Sequence, residues 1–208
     1  MDSVCRNCRR EGMKLFLKGE KCFTPKCPVS RRAYPPGVHG PKGAPKPTEY
    51  GTQLREKQKA KRIYGVRERQ FRNYVDTALG SSGNTADTLL ATLERRLDAV
   101  VYWAGFAVSH RQARQLVAHG HFAVDGQRVT IPSYLVHAGA IITVVKLGEL
   151  AQETNVLAAN LAQEKKGTLP AWLRFDSEQK RVEVLRLPAR EDIEQSFDPK
   201  LIIEFYSR

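Results

Sequence analysis

The sequence predicts an α+β fold. A knuckle of cysteines and a basic arm precede a helical domain, and a small α/β module of two helices and a short antiparallel sheet follows. Three observations predict it. All four cysteines lie within the first 27 residues, and helix-forming residues with dense charge run from Tyr50 to Leu79. Residues 94–132 combine helical spacing of apolar residues with an Asp-Gly hairpin signal.

The positive charge is concentrated in the first third of the chain. Residues 1–75 hold 19 Lys or Arg and 6 Asp or Glu, a net charge of +13, whereas residues 76–208 hold 15 and 16, a net charge of −1. Because Lys and Arg release counterions from a polyanion, this asymmetry favours a nucleic acid as partner. A solvated basic face or an anionic membrane is the alternative, but no amphipathic membrane helix accompanies the charge.

We expect a protein of the cytoplasm that makes no membrane contact. No run approaches about 18 apolar residues, the length that a membrane span requires. The first ten residues contain Asp2 and three arginines where a secretory signal would have an apolar core.

The cysteines Cys5, Cys8, Cys22 and Cys27 form two close pairs separated by a short loop. Such pairs can wrap four thiolates tetrahedrally around one ion, and neighbouring Lys and Arg lower thiol pKa values. We expect one structural zinc ion. An iron–sulfur cluster is the main alternative, because it also takes four cysteines. Two disulfides fit poorly in a cytoplasmic chain.

Residues 1–48 are therefore predicted to form a metal knuckle and a basic arm. The arm, residues 34–47, is rich in Pro and Gly and cannot form a helix or a central strand. Residues 49–93 are predicted to be helical, with Gly65 between two helices. Leu89, Leu93, Leu97 and Val101 recur every four residues, which indicates an apolar stripe facing a core.

The block from Arg95 to Pro132 predicts two helices and a hairpin. Ser109 and Gln112 form a capping box, and Gly120 lies where a left-handed helix cap is expected. Asp125-Gly126 joins two short apolar runs as a hairpin turn. The arginines of this block suit phosphates and stacked bases. Its histidines could instead ligate a metal or act as acid–base groups, but their spacing matches no such motif, and polar contact or helix-end packing is favoured.

These patterns together predict two groups of RNA-contacting residues and no catalytic residue. The first group comprises Arg6, Arg9, Arg10, Lys21, Lys26, Arg31, Arg32, Lys42, Lys46, Arg55, Lys57, Lys59, Lys61, Arg62, Arg67, Arg69 and Arg72. The second group comprises Arg95, Arg96, Ser109, His110, Arg111, Gln112, Arg114, Gln115, His119, His121 and Arg128.

The block also resembles the RNA-binding module named after the fourth protein of the bacterial small ribosomal subunit. That module occurs in RNA-modifying enzymes, a class of tRNA synthetase and heat-shock RNA-binding proteins as well. The knuckle, the arm, the helical segment and the ending resemble the ribosomal family in the same order, in its zinc-knuckle form. The matching positions of the module are Arg96-Leu97-Asp98, Ser109, Arg111, Ala113-Arg114-Gln115, Val117, His119-Gly120-His121, Gly126, Val129 and Ile131-Pro132-Ser133.

The resemblance implies a structural constituent of the small ribosomal subunit. Such a protein binds small-subunit rRNA early, at a multi-helix junction, and nucleates assembly of the subunit body. It lies beside the fifth small-subunit protein, near the path by which mRNA enters, and influences translational accuracy. It can also bind its own mRNA. The resemblance further implies that residues 94–159 are an inserted module and that the tail, 160–208, completes the helical domain.

The alternative from another class is an RNA-modifying enzyme that carries the same module, such as a pseudouridine synthase. It would need a separate catalytic domain of about 150 residues, and no nucleotide-binding, metalloprotease or nucleophile motif is present. The tail instead predicts a helix at 149–163 and three strands at 172–175, 181–187 and 201–206. Trp103 and Trp172 are predicted to pack in the core, since neither lies among basic residues.

Overall fold

The computed structural model of the chain describes residues 3–43, 46–145, 169–176, 179–193 and 196–207. The chain divides into two compact units, the first formed by Met1–Leu89 with Gln195–Arg208 and the second by Leu90–Glu194. Within the described ranges, no helix combines the length and the apolar character that a membrane crossing requires.

The first unit is helical in its described part. Its helices are α1 (Ser3–Glu11), α2 (Pro28–Arg31), α3 (Glu49–Ile63), α4 (Glu68–Leu79) and a C-terminal helix, Pro199–Tyr206; α5 (Thr85–Glu94) contains the boundary between the units. Helices α3 and α4 are separated at Gly65, whose φ of +62° is readily adopted only without a side chain. This confirms the predicted break between two helices.

The C-terminal helix is a correction, because we expected a strand at 201–206. Pro199 occupies the first helical turn and Asp198 caps it, its Oδ1 accepting from the Lys200 N–H at 2.8 Å. The helix packs on α3, where Gln53 Nε2 donates to Glu204 Oε2 at 3.1 Å.

The second unit places two further helices against one antiparallel sheet. The helices are α6 (Leu97–Trp103) and α7 (His110–Ala118), so that the C-terminal helix Pro199–Tyr206 is α8. The strands are β1 (Phe122–Val124), β2 (Gln127–Arg128), β3 (Ile141–Val144), β4 (Leu173–Asp176) and β5 (Arg181–Val184), in the spatial order β2-β1-β3-β5-β4.

Strands β4 and β5 belong to this sheet and not to the helical domain, which corrects the expected boundary at residue 159. Ile142 of β3 pairs with Val182 of β5, and both are fully buried. Trp172, at 1% exposure, packs in the same core, as predicted. Burial of these apolar side chains draws β4 and β5 to β3, and only α8 returns to the first unit. The helix predicted at 149–163 lies outside the described residues.

The local signals of the block are confirmed. Asp125 and Gly126 have φ of +50° and +80°, and they bring Val124 opposite Gln127. Ser109 caps α7 by accepting from the Gln112 N–H at 3.3 Å. The Gln112 side chain accepts from Val108 N–H at 2.7 Å, one residue earlier than in a standard capping box.

Gly120 is expected to be the more sensitive of two left-handed glycines. Its φ is +75°, and a Cβ there would lie 2.3 Å from Arg128 Nε, whereas Gly126 has open space around it. Alanine at either position strains the backbone by about 1–2 kcal/mol. Gly120→Ala should cost about 1 kcal/mol more, because it also displaces a hydrogen-bonded Arg128. Urea unfolding of both variants measures the difference, and equal losses would show that Arg128 moves aside freely.

Candidate nucleic-acid interface

The basic residues predicted in the first unit divide into an exposed and an internal group. The internal group, which we call the inner cations, comprises Arg9, Arg55, Lys57, Lys59, Lys61 and Arg62, each held by carbonyl oxygens or carboxylates. The exposed group, which we call the outer cations, comprises Arg6, Arg10, Lys21, Lys26, Arg31, Arg32, Lys42, Lys46, Arg67, Arg69 and Arg72.

Arg9 shapes the basic arm from inside. It is 4% exposed, and its guanidinium donates to the carbonyl oxygens of Arg32, Tyr34 and Pro35 at 3.1, 2.9 and 3.2 Å. The same group lies 4.7 Å from the centre of the Tyr34 ring. Arg9 is therefore a structural residue, which corrects its predicted role in contacting RNA.

Lys57 is internal in the same way. It is 6% exposed, donates to Glu68 Oε1 at 2.9 Å, and its ammonium lies 4.3 Å from the centre of the Phe205 ring. Lys61 and the Tyr206 hydroxyl also donate to Glu68. Burial disfavours the Glu68 carboxylate, but these three donors outweigh it and hold its pKa at about 2. Glu68 thus joins α3, α4 and α8.

Replacing Glu68 by Gln is expected to lower stability by about 1 kcal/mol near neutral pH, a figure reduced for its 48% exposed side chain. A carboxylate with a depressed folded pKa stabilises the fold above its unfolded pKa of 4.5 and loses that contribution as pH falls towards 2. The loss should therefore shrink as the pH falls from about 5 to 2. Urea midpoints across this range test it, with the exposed Glu20→Gln as control. A difference that persists unchanged at pH 2 would contradict the account.

Glu11 forms ion pairs with two more of the inner cations, Arg55 and Arg62. Its side chain is fully buried, and its Oε1 accepts from Arg55 at 3.3 Å and from Arg62. Burial raises the pKa of Glu11, while the charges of Arg62 and Arg55 oppose the rise. Lys59, in turn, is paired with Glu56 at 2.5 Å. The Glu11 pairs connect α1 to α3, and all three pairs use cations that the sequence assigns to RNA.

In the second unit, the polar face of α7 is the exposed one. Arg111, Gln115 and His119 are exposed, and their spacing places them on one side of the helix, while Ala113 and Val117 on the other side are fully buried. The side chain of Arg114 is 39% exposed and lies 3.9 Å from Asp98.

Arg128 joins this face at the C-terminal end of α7. Its guanidinium donates to the carbonyl oxygens of Gly120 and His119 at 2.9 and 3.1 Å. These bonds fix the side chain and stabilise the helix end, while the residue stays exposed.

Arg96 lies inside the second unit. It is fully buried, and its guanidinium makes two bonds to the Asp98 carboxylate. Burial raises the pKa of Asp98, and the hydrogen bond and charge of Arg96 oppose the rise. Around the pair, Leu97 N–H donates to Tyr134 O at 2.8 Å, which fastens the 132–136 segment to α6. The Arg-Leu-Asp motif is thus structural, which corrects the predicted RNA contact of Arg96.

Five other predicted residues of this block have internal roles in the described structure. Ser109 is 6% and His121 3% exposed. The His110 ring packs against the Tyr102 ring, with ring centres 4.0 Å apart and planes inclined by 34°. Arg95 donates to Val136 O at 3.0 Å, and the Gln112 side chain holds Val108. The exposed polar surface is therefore narrower than predicted, and consists of Arg111, Arg114, Gln115, His119 and Arg128.

The four cysteines are all buried, at 5–8% exposure, and none forms a disulfide. Burial raises the pKa of the Cys8 thiol; a hydrogen bond with the Leu15 backbone opposes the rise, and the charges of Cys22, Cys5 and Cys27 add to it. Among the described residues, no group of three or more Cys, His, Asp or Glu side chains is arranged to hold a metal ion.

Lys14 and Lys18 are basic residues of the N-terminal segment that lie outside the predicted set. Both fall between Cys8 and Cys22 and are half-buried.

The chain matches two family profiles over most of its length. Residues 1–94 match the "Ribosomal protein S4/S9 N-terminal domain" and residues 95–142 match the "S4 domain". Together with the helical unit, the small sheet unit and the exposed basic surfaces, these matches define a ribosomal protein and not an RNA-modifying enzyme.

Relatives of similar length identify the family. The "Small ribosomal subunit protein uS4" of Syntrophomonas wolfei is 54% identical over 207 residues, which cover 100% of this chain and 98% of the relative. The uS4 of Thermus thermophilus is 52% identical over 205 residues, covering 99% and 97%. The chain belongs to the uS4 family of small ribosomal subunit proteins.

Proposed function

We propose that the chain is a structural component of the small ribosomal subunit in the cytoplasm, where it binds small-subunit rRNA through the outer cations and the polar face of α7. The division of the basic residues into inner and outer cations is the observation that supports this proposal. Carboxylates and carbonyls already hold the inner cations, whereas the outer cations are exposed. So many exposed Lys and Arg side chains can contact the phosphates of a folded RNA, which proteins recognise largely by its shape and its phosphates.

Salt titration of rRNA binding tests the proposal. The full chain is mixed with transcribed small-subunit rRNA, and affinity is measured by filter binding between roughly 0.05 and 0.5 M salt, a range that includes the physiological region. We expect tight binding whose logarithm falls linearly with the logarithm of salt concentration. Equal affinity for transfer RNA under all conditions would contradict specific rRNA binding.

The finer roles are proposed from the family resemblance. They are early binding that nucleates assembly of the subunit body, contact with the fifth small-subunit protein, and a position near incoming mRNA. Order-of-addition reconstitution tests the role in assembly. Without the chain, the proteins of the subunit body that bind later should fail to join the rRNA. Crosslinking within intact subunits tests the two contacts, and crosslinks confined to other proteins and other RNA regions would contradict them.

We also propose that Cys5, Cys8, Cys22 and Cys27 hold one structural zinc ion. Four buried cysteines, none of them in a disulfide, provide the donor number and the sheltered position that such an ion requires. The ion would supply folding energy and no reaction chemistry. An iron–sulfur cluster is the alternative with the same ligands.

A further inference from the structure

Two phenylalanine rings stand exposed on the cysteine knuckle. Phe16 and Phe23 are stacked with ring centres 4.9 Å apart and planes inclined by 29°. They are 40% and 60% exposed, although a buried position would remove their apolar surface from water. The free protein therefore holds an aromatic pair whose outer surface has no cover among the described residues.

The backbone at Phe16 is strained. Its φ is +50°, and among the described non-glycine residues only Asp125 and Lys180 also have a positive φ. Asp125 lies in the hairpin turn and Lys180 in the turn between β4 and β5. A bulky aromatic residue tolerates this conformation poorly, and such outliers persist mainly where the surrounding chain or a function requires them. At Phe16, the strained backbone directs a ring to the surface.

The segment that carries both rings is basic. Residues 14–26 contain Lys14, Lys18, Lys21 and Lys26 and one acidic residue, Glu20. Lysines beside an aromatic surface suit a nucleic acid, because the ring can stack on a base while the ammonium groups contact phosphates on either side. A protein partner would need an acidic rim around an apolar centre to match the same surface.

We infer that the Phe16–Phe23 pair is a stacking surface for an unpaired base of the bound RNA. Sequence-specific binding of RNA commonly uses unstacked bases of loops and bulges, which stack on aromatic side chains. The inference rests on the proposed rRNA binding and adds to it a contact that is not electrostatic. Its affinity contribution is therefore independent of salt.

Phe23 offers the safest test, because it is the more exposed ring and its φ of −88° is unstrained. The full-length chain with Phe23→Leu should bind small-subunit rRNA about tenfold more weakly than the wild type, whereas Phe23→Tyr should bind within about twofold. The salt slope should be the same for all three. Phe16→Leu should repeat the loss, and Phe23→Trp should show indole fluorescence quenched by added rRNA.

The matched control is Tyr50→Leu, which removes a ring that is 52% exposed. Tyr50 follows Glu49 in the sequence, and its ring contacts the Phe205 ring. It should bind as the wild type does. Unchanged affinity in both Phe→Leu variants, with wild-type binding intact, would overturn the stacking surface alone. Normal rRNA affinity with reduced incorporation into subunits would show that the rings face a protein, and also overturns it. A wild-type chain that does not bind rRNA would overturn the proposed function itself.

Discussion

The triple variant Arg67→Gln, Arg69→Gln and Arg72→Gln is expected to bind small-subunit rRNA roughly one to two orders of magnitude more weakly than the wild type near physiological salt. These three arginines are exposed at the start of α4 and belong to the outer cations. Each lost phosphate contact should reduce the salt slope by about one, so the slope should fall by about three. Filter binding at several salt concentrations measures both quantities.

A loss of net charge alone could also weaken binding, and a matched variant separates the two causes. Arg174→Gln, Lys180→Gln and Arg190→Gln together remove the same charge from exposed positions of the second unit. This control should keep its affinity within about threefold, with nearly the wild-type slope. If both triple variants lost affinity equally, the binding would reflect net charge and not a defined surface.

If the proposed zinc ion is bound by the four cysteines, its removal is expected to give the largest structural effect. A structural zinc ion contributes on the order of 10 kcal/mol to the folding of a small segment with four cysteine ligands. Cys8→Ser should therefore unfold the knuckle and expose its lysines and arginines to trypsin, while α6, α7 and the sheet keep their amide protection. Limited proteolysis with hydrogen exchange measures this, and rRNA affinity should fall with it, because most of the outer cations lie in the knuckle and arm.

Elemental analysis of the purified wild type decides whether a metal is bound and which metal it is. One zinc ion per chain is expected, and Cys8→Ser should contain less. The control is Ser30→Ala, a change in the adjoining helix α2, which should retain both metal and protease resistance. Iron with visible absorption would show that the four cysteines hold an iron–sulfur cluster and not zinc. A folded chain that contains no metal would contradict the proposed metal site.

Local signals in the sequence predicted the second unit well. The Asp125-Gly126 turn, the Ser109 cap and the left-handed Gly120 each depend on a few adjacent residues, and all three are confirmed. Such local signals cannot predict the pairing of β3 with β5, because it joins residues about 40 positions apart. The apolar run at 201–206 favours a strand, although the Asp198-Pro199 pair is itself a signal for the start of a helix.

The sequence predicts where the basic residues are concentrated, but not which of them are exposed in the folded chain. Charge density identifies the first third of the chain, yet it cannot tell an Arg that faces solvent from one that a carboxylate holds. Arg9, Lys57 and Arg96 carry the same charge as their exposed neighbours and are buried. Their partners Glu68 and Asp98, and the arm carbonyls around Arg9, come together only in the folded chain.

Sedimentation of cell lysate is the strictest test of the ribosomal assignment. Lysate containing the chain is fractionated on a sucrose gradient in high salt, which strips proteins held only by weak electrostatic contact. We expect the chain to sediment quantitatively with small ribosomal subunits, and the Arg67, Arg69 and Arg72 triple variant to shift in part to the free pool. A wild-type chain found only among free proteins would contradict the account.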